Sequence, residues 1–162
     1  MKHQNPLDGL RQRKMYNYRC VIIRVVDGDT VDVDIDLGFS VWLRNQRVRL
    51  QGIDTPESRT KDLAEKAHGL AAKYRLSELL PVDAKFEIAT TINNSDSDMH
   101  EKFGRILGSF VLPGTSKTIN DVLVSEGYAV PYSGQSKQDV KQLHLVNRQR
   151  LISEGKLVIK DN

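Results

Sequence analysis

A chain of 162 residues is long enough to bury one core and too short for two domains of ordinary size. With 39% apolar and 28% charged residues and no run of eighteen apolar positions, it is neither fibrous nor disordered and has no membrane-spanning helix. The net charge of +3 and pI near 9.0 are mildly basic but unevenly spread. Arg11, Arg13, Lys14 and Arg19 precede the first strand, and Lys137, Lys141, Arg148, Arg150, Lys156 and Lys160 fill the last segment. Such patches fit a polyanion, whose counterions are released on binding, and also fit plain solvated surface.

Residues 1–16 are expected to be a basic tail, 17–155 the domain, and 156–162 a second tail. The first fourteen residues hold no apolar stretch of the kind a secretory leader needs, so a cytoplasmic protein is expected. The single cysteine, Cys20, sits beside Val21, Ile22 and Ile23 and reads as a buried, inert side chain.

Cys20 to Val26 is rich in Val and Ile, and Val31, Val33 and Ile35 then alternate with Asp32, Asp34 and Asp36, which predicts two strands. Asp27-Gly28-Asp29 falls between them, so Gly28 is expected at the positive-φ position of a tight turn. A third strand is predicted from Val41 to Gln51, with Val48 and Leu50 on one side and Arg47, Arg49 and Gln51 on the other. Trp42 within it is expected to pack in the core.

Asp62 to Leu80 reads as a helix buried along Leu63, Ala67, Leu70, Ala71, Tyr74 and Leu79, stopped by Pro81. Lys85 to Ile92 is a fourth strand, Asn93 to Asp98 a loop, and Ile106 to Leu112 a fifth strand. Thr118 to Glu126 suits a short helix closed by Gly127, with Ile119, Val122 and Leu123 inward. Lys137 to Ser153 is the last helix, apolar at Val140, Leu143, Val146 and Leu151. The order predicts an α+β, mainly β fold: a five-stranded OB-type barrel with three helices.

Asp27 and Asp29 lie two apart at a turn, and Asp54 lies five residues past Arg49, near enough to serve one pocket. Carboxylates of this kind, with a carbonyl such as that of Thr55 and waters, suit Ca²⁺ or Mg²⁺, and no His/Cys cluster offers a zinc site. Glu57, beyond the rigid Pro56, is placed to take a proton from water. Arg49 and Arg105 supply paired donors for a phosphate. Singly, each has a plain alternative: Asp-Gly-Asp is a common hairpin turn, Thr55-Pro56-Glu57 a common helix entry, and a strand arginine is usually surface.

The ordered set Asp27-Gly28-Asp29-Thr30, Arg49-Leu50-Gln51-Gly52-Ile53-Asp54-Thr55-Pro56-Glu57 and Lys102-Phe103-Gly104-Arg105 resembles the staphylococcal (micrococcal) nuclease or thermonuclease family. The likeness runs over roughly residues 18–153 and includes Asn120 to Ala129. It implies a five-stranded OB barrel with three helices and Ca²⁺-dependent cleavage of DNA and RNA to products ending in 3′-phosphate. Asp29, Asp54 and the Thr55 carbonyl would then be the metal ligands, Asp27 an outer acidic residue, Arg49 and Arg105 the phosphate binders, and Glu57 the general base.

Lys102 and Tyr132 are candidate substrate contacts, Tyr132 as a base-stacking residue. Phe103 departs from the tyrosine of the best-known member, and the 36–47 stretch is longer than in compact secreted relatives. Of the histidines, only His100 has a claim on chemistry, while His68 and His144 sit on predicted helices. The expected partners are DNA or RNA and no membrane, for a monomer whose ion in the cell is Ca²⁺ or Mg²⁺. The rival expectation is a nucleic-acid-binding OB module without catalysis.

Overall fold

The computed structural model describes residues 15–91 and 106–160, so His100, Lys102, Phe103, Arg105 and the 93–98 loop lie outside the described residues. In chain order the elements are β1 (Met15–Asp27), β2 (Thr30–Asp36), β3 (Trp42–Leu50), β4 (Ile53–Asp54), α1 (Leu63–Leu79), β5 (Lys85–Thr91), β6 (Ile106–Phe110), α2 (Ile119–Glu126), β7 (Val130–Pro131) and α3 (Lys137–Ser153). Five of the strands form one sheet in the order β1-β2-β3-β6-β5, and because β5 pairs back onto β1 the ladder closes into a barrel. All neighbours are antiparallel except β3 and β6, which run parallel over Val48–Leu50.

The period-two pattern of the strands is what closes the core. Val31, Val33, Val48, Leu50, Ile22, Ile88 and Phe110 are fully buried inside, each stabilising by about 1.5–3 kcal/mol relative to an exposed side chain. Cys20 shares this interior, and burial pushes its thiol up to about 12, so it is inert. Asp32, on the outer face of β2, lies between Arg24 and Arg47 at 2.8 and 2.9 Å, which covers its carboxylate. Leu157, just past α3, also packs into the core.

Two of the helices bury only part of the expected stripe: Ala67, Ala71 and Leu79 of α1 pack against the core, and Val140 and Leu151 of α3 are buried. The buried stripe of α1 is His68, Gly69, Ala72 and Leu76, while Leu63, Leu70 and Tyr74 are exposed. The buried residues of α3 are Val140, His144 and Leu151, with Leu143 and Val146 exposed. In both cases a small or hydrogen-bonding residue occupies the contact line. α2 follows its expected pattern more closely, with Ile119 and Leu123 buried, a Thr118–Asp121 capping box and Gly127 at φ 89° closing it. Buried Asn120 stitches this helix to the barrel, donating to Gln51 O at 2.9 Å and accepting from the Phe110 amide.

Two smaller expectations are corrected. Gly28 does not take a positive φ; a Cβ there would stand 2.9 Å from Thr55 Oγ1 and 3.0 Å from Ala72 Cβ, so close packing is what requires glycine. Trp42 is half-buried rather than core, with the Arg44 guanidinium 4.8 Å over its ring. The first helix begins beside Asp62 as expected, its carboxylate capping Ala64 N and Glu65 N, so the plain alternative of Thr55-Pro56-Glu57 as a helix entry does not hold. The β4–β7 ladder, two residue pairs long, was not foreseen.

Candidate functional site

One cavity of about 770 Å³ gathers the sequence motifs. Asp27, Asp29 and Thr30 enter it from the β1–β2 turn, Arg49 from β3, Asp54 from β4, Thr55 and Glu57 from the loop that follows, and Tyr132 from just beyond β7. The backbone explains the convergence. Thr30 pairs with Arg49 across β2 and β3, and Leu50 N donates to Asp29 O at 2.8 Å, so the turn and the arginine are neighbours. Asp54 pairs with Val130, and Tyr132 N donates to Gly52 O at 2.8 Å, which brings the tyrosine to the same rim.

Arg49 stands between two carboxylates: its Nη2 lies 3.7 Å from Asp29 Oδ2 and 3.5 Å from Asp54 Oδ1. Its guanidinium carbon is 5.9 Å from the Tyr132 ring centre. Burial raises the Asp29 carboxyl above the ordinary aspartate range; Arg49 and the Thr30 hydroxyl oppose the shift, and Asp54 and Asp27 add to it. Glu57 is raised by partial burial and then by Asp27, Asp29, Asp54 and Glu65. Like-charged neighbours thus add to the effect of burial at both carboxyls.

Asp27 is engaged differently. Its Oδ1 accepts from Ser58 Oγ at 2.8 Å and from Gly28 N at 2.9 Å, which fixes the turn against the loop after β4. Among the described residues no three His, Cys, Asp or Glu side chains gather as a metal-binding group. A cation here would be held by two carboxylates at most, with a carbonyl and waters completing the shell. That all-oxygen donor set fits Mg²⁺ or Ca²⁺, which keep waters, and does not fit zinc.

The opposite wall is α3. Lys137, Lys141 and Arg148 line the cavity, and no ion pair to them occurs among the described residues. Between them His144, with a side chain 9% exposed, brings Nε2 to 2.8 Å from Asp54 Oδ2. The His68 ring from α1 meets His144 edge-on at 6.1 Å, and its own Nε2 bonds Gly127 O at 3.2 Å. Burial pushes His68 down to about 4.

The structure thus brings together Asp27, Asp29, Arg49, Asp54, Thr55, Glu57 and Tyr132, whereas Arg105 and Lys102 lie outside the described residues. Sequence reasoning missed Ser58 and His144. A histidine four residues after Val140 and seven before Leu151, on the stripe that proves buried, was the available signal for the second.

A family profile described as Staphylococcal nuclease homologue matches residues 47–156, well over half of the chain. Curated relatives include "Micrococcal nuclease" of Shigella flexneri, 30% identical over 135 residues, covering 79% of this chain and 66% of that protein. "Protein ParB" of Escherichia coli is 29% identical over 118 residues, 68% of this chain and 55% of its own length. The chain thus spans just under two thirds of the first of these relatives and about half of the second.

Proposed function

Because the chain belongs to the staphylococcal nuclease family, we propose that this cavity hydrolyses phosphodiester bonds of DNA or RNA with the help of a divalent cation. The observation that carries the reading is the convergence of Asp29, Arg49, Asp54 and Glu57, from four separate segments, on one cavity. The closed five-stranded barrel with a helix between β4 and β5 supports an OB-type assignment.

Asp29, Asp54 and the Thr55 carbonyl are the residues that would hold Ca²⁺ or Mg²⁺, and a bound ion supplies Lewis-acid polarisation of a phosphoryl oxygen. Arg49, already at the carboxylates, presents a planar donor pair to the non-bridging oxygens, where charge grows as the phosphorus is attacked. Arg105 is assigned the second such role. Glu57 accepts the proton of the attacking water; its partial burial, and then the acidic residues around it, raise its proton affinity and so its strength as a base. The α3 cations Lys137, Lys141 and Arg148 hold flanking phosphates, Tyr132 offers a face to a base, and Lys102 is a further phosphate contact. Products ending in 3′-phosphate follow from the family likeness.

The test is incubation of the purified chain with plasmid DNA and single-stranded RNA in EDTA, Mg²⁺ or Ca²⁺, beside Glu57→Ala and Arg105→Ala. Cleavage only with metal, reduced by orders of magnitude in both variants, is the expected result. No cleavage under any condition, with salt-sensitive binding retained, would move the reading to a binding module.

A further inference from the structure

We propose that His144 is a positioning residue for the carboxylate of Asp54: it holds Oδ2 so that Oδ1, the oxygen beside Arg49, is the one offered to a divalent cation. This rests on the metal-assisted reading above. Asp54 needs such support. It lies on a strand of two residues whose ladder has two residue pairs, and the last torsion of an aspartate is broad, so its own segment leaves the carboxylate plane unset.

His144 is well suited to set it. The contact of 2.8 Å is charge-assisted and short, and a carboxylate oxygen can only accept, so the ring must carry its proton on Nε2. A hydrogen bond to Oδ2 fixes the carboxylate plane and leaves Oδ1 as the oxygen for a cation. Arg49, on the other oxygen, is a cation that must be displaced or turned.

The imidazole is itself held from two sides. Val140 and Leu151, buried on the same helix, fix its register. The His68 ring stands edge-on at 89° behind it, anchored through Nε2 to Gly127 O, so α1 and α3 both bear on where Asp54 points. Residues that orient a ligating carboxylate in this way typically change metal affinity by about 10–100-fold.

The experiment is a calorimetric titration of the full chain with Ca²⁺, and separately with Mg²⁺, in the absence of nucleic acid. Wild type, His144→Leu and His144→Gln are compared, with thermal unfolding in EDTA as the control for folding. His144→Leu is expected to bind about tenfold or more weakly while unfolding near the wild-type temperature, and His144→Gln, whose amide N–H reaches the place of Nε2, to bind within about threefold of wild type. Should His144→Leu fail to fold, His144→Asn, one methylene too short to reach Oδ2, takes its place with the same expectation.

Unchanged affinity in His144→Leu overturns the proposal, as does an equal loss in His144→Gln, which would mark a packing role. A wild-type chain that binds neither ion overturns it as well. Cleavage assays on the same samples separate the two readings. Wild type that binds the ion but cuts nothing defeats the nuclease reading alone, whereas wild type and His144→Leu that cut with the same metal dependence defeat the role of His144 alone.

Discussion

Two cavities lie at opposite ends of the β1–β2 ladder and differ in what their charges do. At one end Arg19 and Asp36, a facing pair, border a cavity of about 860 Å³ with Trp42, Phe86 and Pro113. Arg19 is already paired with Asp36 at 3.2 Å across the strands. At the other end Asp27 and Thr30 face each other on a slightly smaller cavity, where carboxylates crowd one wall and α3 cations line the other. Size does not separate the two. Among the described residues the site end gathers Asp27, Asp29, Asp54 and Glu57 around Arg49, an arrangement that lowers stability unless a ligand or ion completes it.

The most direct way to break this comparison is to remove one arginine and one aromatic residue, each from its own end. Arg49→Ala should lower cleavage by about 10²–10³-fold or more, since the lost donors act where charge develops. Trp42→Ala should leave cleavage within about twofold and cost roughly 1–2 kcal/mol of stability, through a half-buried ring and its contact with Arg44. Rates of plasmid nicking and urea unfolding of both variants decide it. A large loss of cleavage in Trp42→Ala would show that the larger cavity takes part.

A second prediction concerns pH. Burial holds His68 at about 4 against an ordinary 6.5, with the Gly127 carbonyl opposing and His144 and Arg148 assisting the shift. The folded state therefore binds fewer protons than the unfolded chain between these values. Stability from this group is full above about pH 6.5 and is lost as pH falls towards 4, by ~3 kcal/mol at most. Urea midpoints measured from pH 7 to 4 should fall more steeply for wild type than for His68→Gln, which keeps a donor for Gly127 O but cannot titrate. Parallel slopes would refute the assignment.

The strands were legible because a barrel buries one face of each, so Val31, Val33 and Ile35 had to alternate with Asp32, Asp34 and Asp36. The extents of two helices were legible too, but their buried faces only in part, and the reason is physical. Each rests on its neighbours along a narrow line where close approach and hydrogen bonding matter more than apolar area. Gly69, Ala72 and His68 therefore hold the line in α1, and His144 holds it in α3, while Leu63, Leu70, Tyr74, Leu143 and Val146 face outward. The site followed the same division. Asp29, Arg49, Asp54 and Glu57 belong to compact motifs, but the bond from His144 to Asp54 spans 90 positions and that from Ser58 to Asp27 spans 31. The β4–β7 ladder, two residues to a strand, is too short to carry a period at all.

The smallest expected effect is the one whose sign is least obvious. Gly69 sits inside α1, where replacement by alanine ordinarily favours the helix by about 0.5–1 kcal/mol. Here a Cβ would stand 2.6 Å from the Glu57 carbonyl carbon and oxygen and 2.7 Å from Pro56 O, all backbone atoms that cannot rotate away. The clash outweighs the propensity, so Gly69→Ala should destabilise by roughly 1–3 kcal/mol and, by shifting the Glu57 backbone, lower kcat more than it raises KM. At the other end Gly114, at φ 75° with nothing within 4 Å of its missing Cβ, offers the contrast. Gly114→Ala should cost about 1 kcal/mol through backbone strain alone and leave cleavage untouched. If Gly69→Ala proves more stable than wild type with normal turnover, the helix is not what holds Glu57 in place, and the carboxylate must be set by its own loop.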